Sequence, residues 1–271
     1  MIQRACSVVL VEWLKLASQF KARIVLAACV LTPIAFAAII RLQSSLPEDT
    51  LFGRSVKQSG FALPLVVLGF AALWAFPVLG SIVGGDLFSS EDRYGTWTVL
   101  LTRSVSRGEI FAGKTVAALG FATFSVSILA ASSIAAGIVI IGAQPLVSLS
   151  GVLLPPDDAL RRVVGAWLSV LPATFAVTAL ALLTSIATRS TVAGIAVPVA
   201  IAMGMQLLAL VDGPEAARRL LVTSGFGGWH GLLADPQYLG PLIDGTIVSA
   251  VYFVGCLAIA YRTWRQRDVG R

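Results

Sequence analysis

Apolar residues fall in six long runs, 24–40, 60–84, 115–142, 164–187, 191–211 and 241–261. None holds a Lys, Arg or Glu, and the only acid is Asp244, near the start of the sixth. Each run is close to the about 20 residues a helix needs to cross a bilayer. Backbone polar groups in hydrocarbon must bond within their own segment, so the runs are predicted to be helices. Strands of a membrane barrel would be about half as long and would alternate in polarity. The pattern predicts an all-α integral membrane protein, with residues 1–271 forming a single transmembrane domain of six transmembrane helices.

The segments between the runs are short and carry the polar residues. Residues 3–21 are predicted to form an interfacial amphipathic helix within an N-terminal segment 1–23. On a helical wheel Val9, Leu10, Trp13, Leu16, Ala17 and Phe20 share one face, and Arg4, Glu12, Lys15, Ser18 and Gln19 the other. A basic polar face opposite Trp and Phe suits a membrane surface. The first run is read as a retained span, because a 23-residue charged segment precedes it and no small-x-small site follows. Residues 212–240 form a long segment whose Phe226, Trp229, Leu232, Leu233 and Tyr238 suit a re-entrant-like path. Pro214 there begins a short predicted helix. Gly80-x-x-x-Gly84 and the Ser and Thr stripes of the third and fourth runs are the small and polar residues that pack membrane helices together.

Composition agrees with this picture. The 271 residues are 57% hydrophobic and 13% charged, far from the balance of a soluble domain. Three cysteines cannot form a disulfide framework. The net charge of +6 would suit nucleic acid if it sat on a solvated basic domain. Instead, 13 of the 20 Lys and Arg residues lie in segments 1–23, 85–114, 188–190 and 262–271. The alternate segments 41–59, 143–163 and 212–240 hold seven. Basic loops stay cytoplasmic, so both termini are expected on the cytoplasmic side of a multi-pass cytoplasmic-membrane protein. No nucleic-acid partner is expected; the bilayer is the surrounding medium.

Two motifs are decoys. Gly108-Glu109-Ile110-Phe111-Ala112-Gly113-Lys114-Thr115 fits the phosphate-loop pattern G-x-x-x-x-G-K-[ST], and Leu208–Asp212 could pass for the strand that holds magnesium. However, a phosphate loop follows a hydrophobic strand and aims several N–H groups at phosphate, whereas Ser104-Val105-Ser106-Arg107 precedes this one. Ser106-x-x-Glu109 instead reads as a capping box that starts a helix leading into the third run. The topology also puts Lys114 and Asp212 on opposite sides. No catalytic, cofactor-binding or metal-binding residue is expected, and His230, the only histidine, has no companion ligands in the sequence.

The segment between the second and third runs carries the most information. It has an acidic turn at Glu91 and Asp92, a break at Gly95-Thr96, an apolar stretch with Leu100-Leu101, a basic turn with Arg103 and Arg107, and Gly113-Lys114 at the head of the third run. This order resembles the permease subunit of type-2 ATP-binding-cassette (ABC) exporters. There an acid, a Gly-Thr pair and a Leu-rich turn follow span two, and a Ser-Arg and a Gly-Lys lead into span three. The six spans and the amphipathic N-terminal segment match as well. Ser104-Val105 departs from the proline that often precedes the Ser-Arg.

The resemblance implies that 85–114 is a cytoplasmic coupling loop with a coupling helix over 95–102. Glu91, Asp92, Gly95, Thr96, Leu100, Leu101, Arg103 and Arg107 would then contact a separate ATPase subunit, which carries the ATP and magnesium. It also implies a second permease subunit, in a homo- or heterodimer, with the substrate route between the two near spans one, two and five. The chain itself would be no enzyme but part of an ATP-driven efflux complex. Its uncharged spans suit a hydrophobic or amphipathic substrate. An autonomous carrier or channel would place ionisable groups at mid-membrane, and a membrane-embedded metalloenzyme would need more than one histidine.

Overall fold

A computed structural model describes residues 2–43, 50–97, 106–209, 211, 214 and 218–267. Among these, six helices are long and apolar enough to cross a membrane: Phe20–Leu42, Ala62–Tyr94, Arg107–Ile141, Pro156–Thr188, Thr191–Ala209 and Gly240–Gln266. Each overlaps one of the six apolar runs, and the chain is an all-α membrane protein. A two-residue hairpin, β1 (Leu146–Val147) and β2 (Leu153–Leu154), pairs antiparallel with Leu146 opposite Leu154.

The chain starts with α1 (Ile2–Ser18) and α2 (Phe20–Leu42). The second span is built of α3 (Ala62–Phe70), a π-turn at Ala71–Ala75 and α4 (Phe76–Asp86), and runs on into α5 (Ser89–Tyr94). The third is α6 (Arg107–Ala136), the fourth α7 (Pro156–Ser169) followed by α8 (Leu171–Thr188), the fifth α9 (Thr191–Ala209) and the sixth α10 (Gly240–Gln266). Helix α8 is central and packs on α4, α9 and α10, while α6 carries α1 and α2.

The Gly80-x-x-x-Gly84 pair acts in packing. A Cβ at Gly80 would lie 2.9 Å from the Thr178 hydroxyl, and one at Gly84 would lie 2.9 Å from the Thr178 carbonyl. Thr174 and Thr178 donate to carbonyls four residues back at 2.9 and 2.8 Å, and Ser132 donates to the Cys29 carbonyl of α2 at 2.7 Å. These hydroxyls therefore satisfy backbone and join helices, as small polar residues do in lipid.

The loops gather at two opposite ends of the bundle. At one, the Gly60 N–H donates to the Gly142 carbonyl (2.9 Å), the Ser59 hydroxyl to the Gln144 carbonyl (2.8 Å), Leu149 N–H to the Leu233 carbonyl (2.9 Å) and Arg162 to the Ala234 carbonyl (2.8 Å). The turns Val222–Phe226 and Gly228–Leu233 pack inside this end, with Phe226 stacked on Phe76 at 5.7 Å. Residues 215–217 of the short helix expected after Pro214 lie outside the described residues. At the other end the four basic segments meet, as set out below.

One wheel assignment changes. The sequence pattern put Glu12 on the solvent face of α1 and Leu16 on the bilayer face. The structure buries both (3% exposed each), and exposes Leu10 and Leu14. The reason is a buried ammonium on α6 that attracts Glu12.

Candidate functional site: a charged clamp at the basic end

The third span begins as its capping box requires. The Ser106 hydroxyl accepts the Glu109 N–H at 3.2 Å, and the Glu109 carboxylate accepts the Ser106 N–H at 2.8 Å. The phosphate-loop lookalike is therefore the first two turns of α6, and Lys114 sits in a helix rather than in a phosphate cradle.

Lys114 is 1% exposed and its ammonium donates three ways: to Glu12 of α1 (3.0 Å), to Glu91 of α5 (3.0 Å) and to the Leu87 carbonyl (2.8 Å). Lys15 closes the square, 2.7 Å from Glu91 and 3.1 Å from Glu12. Burying the Lys114 ammonium and two carboxylates is tolerable only because each is paired and hydrogen-bonded, with the half-exposed Lys15 completing the charge balance. Burial alone would depress Lys15, but its hydrogen bond to Glu91 and the charges of Glu12 and Glu91 outweigh that and hold it above its ordinary value of 10.5. Lys21 pairs with Asp86 in the same region. Three separate stretches of chain, α1, α5 and the head of α6, are thus bound through one charge cluster.

An aromatic cluster adjoins it. Trp97 and Trp264 lie 4.6 Å apart, Phe88 is 5.3 Å from Trp264, and Phe111 is 5.1 Å from Tyr261. Asp92 accepts the Trp97 indole N–H at 2.9 Å and pairs with Arg267 at the end of α10. Arg107 donates to the carbonyls of Arg265 (3.0 Å) and Arg267 (2.7 Å), where a cation meets the unsatisfied carbonyls of the end of α10. The segment at 188–191 joins through Thr191, which bonds Ser89 at 2.9 Å and Asp86 at 3.2 Å.

Gly95 ends α5 in the left-handed conformation (φ 64°). Its N–H reaches the Asp92 carbonyl, and Thr96 N–H reaches the Glu91 carbonyl at 3.1 Å. This is a Schellman closure, and its positive φ favours glycine. The Thr96 hydroxyl also donates to the Glu91 carboxylate.

Of the residues singled out in the sequence, Glu91, Asp92, Gly95, Thr96 and Arg107 come together here, whereas Leu100, Leu101 and Arg103 lie outside the described residues. The resemblance gives Glu91, Asp92 and Arg107, with Arg103, as contacts to a separate ATPase subunit. Glu91 is buried, and all three bond within the chain. Exposed groups here include Tyr94 (70% exposed), Leu10 and Leu14 on α1, and Phe20 at the start of α2. A cleft of about 740 Å³ between α1 and α5 is lined by Val11, Lys15, Phe20, Lys21, Arg93 and Tyr94. Sequence reasoning missed Glu12, Lys15, Trp97, Trp264 and Arg267 as members of this cluster, and noted Lys114 only as part of a motif. The available signal was the Glu12-x-x-Lys15 spacing and the single ammonium at the entry to the third span.

The architecture and the cluster can be set beside known families. The family model described as ABC-2 family transporter protein matches residues 8–206, from α1 through most of α9. No individual curated protein matches the chain. The match spans well over half of the sequence and includes every member of the clamp except the contribution of α10. The chain belongs to the ABC-2 family of transporter membrane proteins and is an ABC permease component.

Proposed function

We propose that this permease is the transmembrane subunit of an ABC exporter, driven by a separate ATPase that docks on the end bearing α1 and α5. The observation that carries the reading is the clamp of Lys114, Glu12, Glu91 and Lys15. A push on an unsupported surface helix would be lost in side-chain and loop motion. Here α1 and α5 are tied by buried charge to the third span and by Asp92 and Arg107 to the sixth. A displacement imposed on this end would therefore reach two spans as a rigid-body movement.

The exposed Tyr94, Leu10, Leu14 and Phe20 beside the α1–α5 cleft are the residues available to a partner. The excess of Lys and Arg at this end supports a cytoplasmic position for it and for both termini. A second permease subunit completes the path. The uncharged spans fit a hydrophobic or amphipathic substrate, moved outward. ATP and magnesium belong to the partner ATPase.

The test is co-purification in mild detergent with the ATPase subunit. Replacing Leu100 and Leu101 with Asp should abolish ATPase association and leave membrane insertion intact. Undiminished association would overturn the docking assignment, and transport by the isolated chain without any ATPase would favour an autonomous carrier.

A further inference from the structure

The second span changes register once, at the π-turn Ala71–Ala75, and its own sequence explains why. Pro77, in the first turn of α4, has no N–H, and in a regular helix its ring would press on the Leu73 carbonyl four residues back. The chain widens instead: the Phe76 N–H reaches back five residues, to the Ala71 carbonyl. Two carbonyls thereby lose their regular-helix donors, Ala72 because the Phe76 N–H has gone to Ala71, and Leu73 because position 77 has none to give. An unpaired carbonyl is a serious cost in hydrocarbon, which a neighbouring helix can meet. Gln206 of α9 does so: its side-chain amide, which has two N–H bonds, donates to the carbonyls of Ala72 (3.2 Å) and Leu73 (3.0 Å).

A second tie joins α9 to α4 near the charged clamp. A Cβ on Gly85 would lie 2.5 Å from the Gly194 carbonyl carbon, so the two backbones touch there, and Thr191 bonds Asp86 at 3.2 Å. The ties Leu73–Gln206 and Gly85–Gly194 are 12 residues apart on both helices, about 18 Å. Two ties at that spacing fix both the separation and the tilt of α9 against α4. The part of the second span before the π-turn is held elsewhere. There α3 packs on α6 and α7, and Gly60, just ahead of it, bonds Gly142, whereas α4 packs most heavily on α8 and α9. The two halves of the second span thus belong to different neighbourhoods, and the π-turn is the joint between them.

We infer that α4 and α9 form one two-helix unit that pivots at the π-turn, and that Gln206 is the positioning residue that fixes α9 to the pivot. A displacement arriving through α5 then reaches the fifth span as well as the third and sixth, because the two ties leave α9 no freedom to lag behind α4. That use of the pivot rests on the ATPase docking proposed above; the tie itself does not.

Two measurements test it. The first is a double-mutant cycle on the full chain alone in phospholipid nanodiscs, read as the thermal midpoint. Gln206→Leu should lower the midpoint by about 2–8 °C, the range for one or two interhelical hydrogen bonds. Pro77→Ala returns an N–H to the Leu73 carbonyl, so in that background the same substitution should cost half as much or less. Equal losses in both backgrounds would overturn the tie. If Gln206→Leu does not purify as a monodisperse protein, Gln206→Met, which keeps the length of the side chain, takes its place. The second measurement replaces Cys6, Cys29 and Cys256 with Ala and sets one spin label at position 153 in the hairpin and the other at position 94 or 208, all three exposed. Distances are read in the complex with the ATPase subunit, before and after trapping with ATP and vanadate. Both pairs should shift in the chain that keeps Gln206. In Gln206→Leu the 94–153 shift should remain and the 208–153 shift should fall at least twofold, a split that general destabilisation would not give. An undiminished 208–153 shift in that variant, or a still position 208 beside a moving position 94 when Gln206 is present, would overturn the inference. If no ATPase co-purifies, or neither pair moves, the docking reading fails, and the first measurement still decides the tie.

Discussion

Lys114→Met tests the clamp most sharply. Methionine keeps the apolar stem of lysine and removes only the ammonium. In the native protein that ammonium lies 3.0 Å from both Glu12 and Glu91 and 2.8 Å from the Leu87 carbonyl, at 1% exposure. The cluster is two cations against two anions. Without Lys114, two buried carboxylates share Lys15, whose side chain is 41% exposed and so partly hydrated. Removing one partner from a buried ion pair costs about 3–5 kcal/mol, because the other charge stays buried. For a domain of this size about 1 kcal/mol moves the midpoint by about 2–4 °C, so the loss should be about 6–20 °C. The assay is the temperature at which the detergent-solubilised chain loses its monodisperse peak.

Glu12→Gln added to Lys114→Met restores charge balance and should recover much of the loss, because the residues act as one unit. The contribution of Lys15 to the midpoint of the native protein should be constant over about pH 7 to 9. The Lys15 ammonium titrates above 10.5, so its contribution is complete below that value and disappears only as pH rises through the higher folded value. A Lys114→Met variant within about 1 kcal/mol of wild type, as for an exposed ion pair, would refute the buried-clamp argument.

Two further outcomes are expected. Burial holds His230 below its ordinary 6.5 despite its bond to the Gly227 backbone. The unfolded chain therefore takes up this proton first, and stability falls as pH drops below 6.5. His230→Phe, which keeps a ring against Trp229 (4.0 Å in the native protein), should flatten that part of the melting-temperature profile, and an unaltered profile would refute the assignment. For topology, a cysteine at exposed position 157 should react with an impermeant maleimide on intact cells. One at position 94 should react only after permeabilisation, and the reverse pattern would invert the orientation.

The spans were legible because an uncharged run of about 20 residues has few structural options. The start of α6 was legible because Ser106 and Glu109 form a local cap. The continuation of the second span to Tyr94 was not. Asp86, Glu91 and Asp92 look like loop residues until their partners Lys21, Lys114, Lys15 and Arg267 are brought in from other helices. Burial of Glu12 was hidden for the same reason, since a helical wheel sees only its own helix. The π-turn and its Gln206 support depend on two spans packing side by side, which hydropathy does not encode. The Schellman closure at Gly95 was partly visible as a glycine break, but the sequence did not show that it turns Thr96 onto Glu91.

The central claim is that the end bearing α1 and α5 meets an ATPase. The most direct measurement places a photo-crosslinking phenylalanine analogue at Tyr94, and separately at Tyr238 near the other end, in the chain co-expressed with its ATPase subunit. Both side chains are exposed, at 70% and 66%. Light should join the ATPase to the chain from position 94 and not from position 238. A cross-link from position 238, or none from position 94 while the ATPase still co-purifies, would contradict the account.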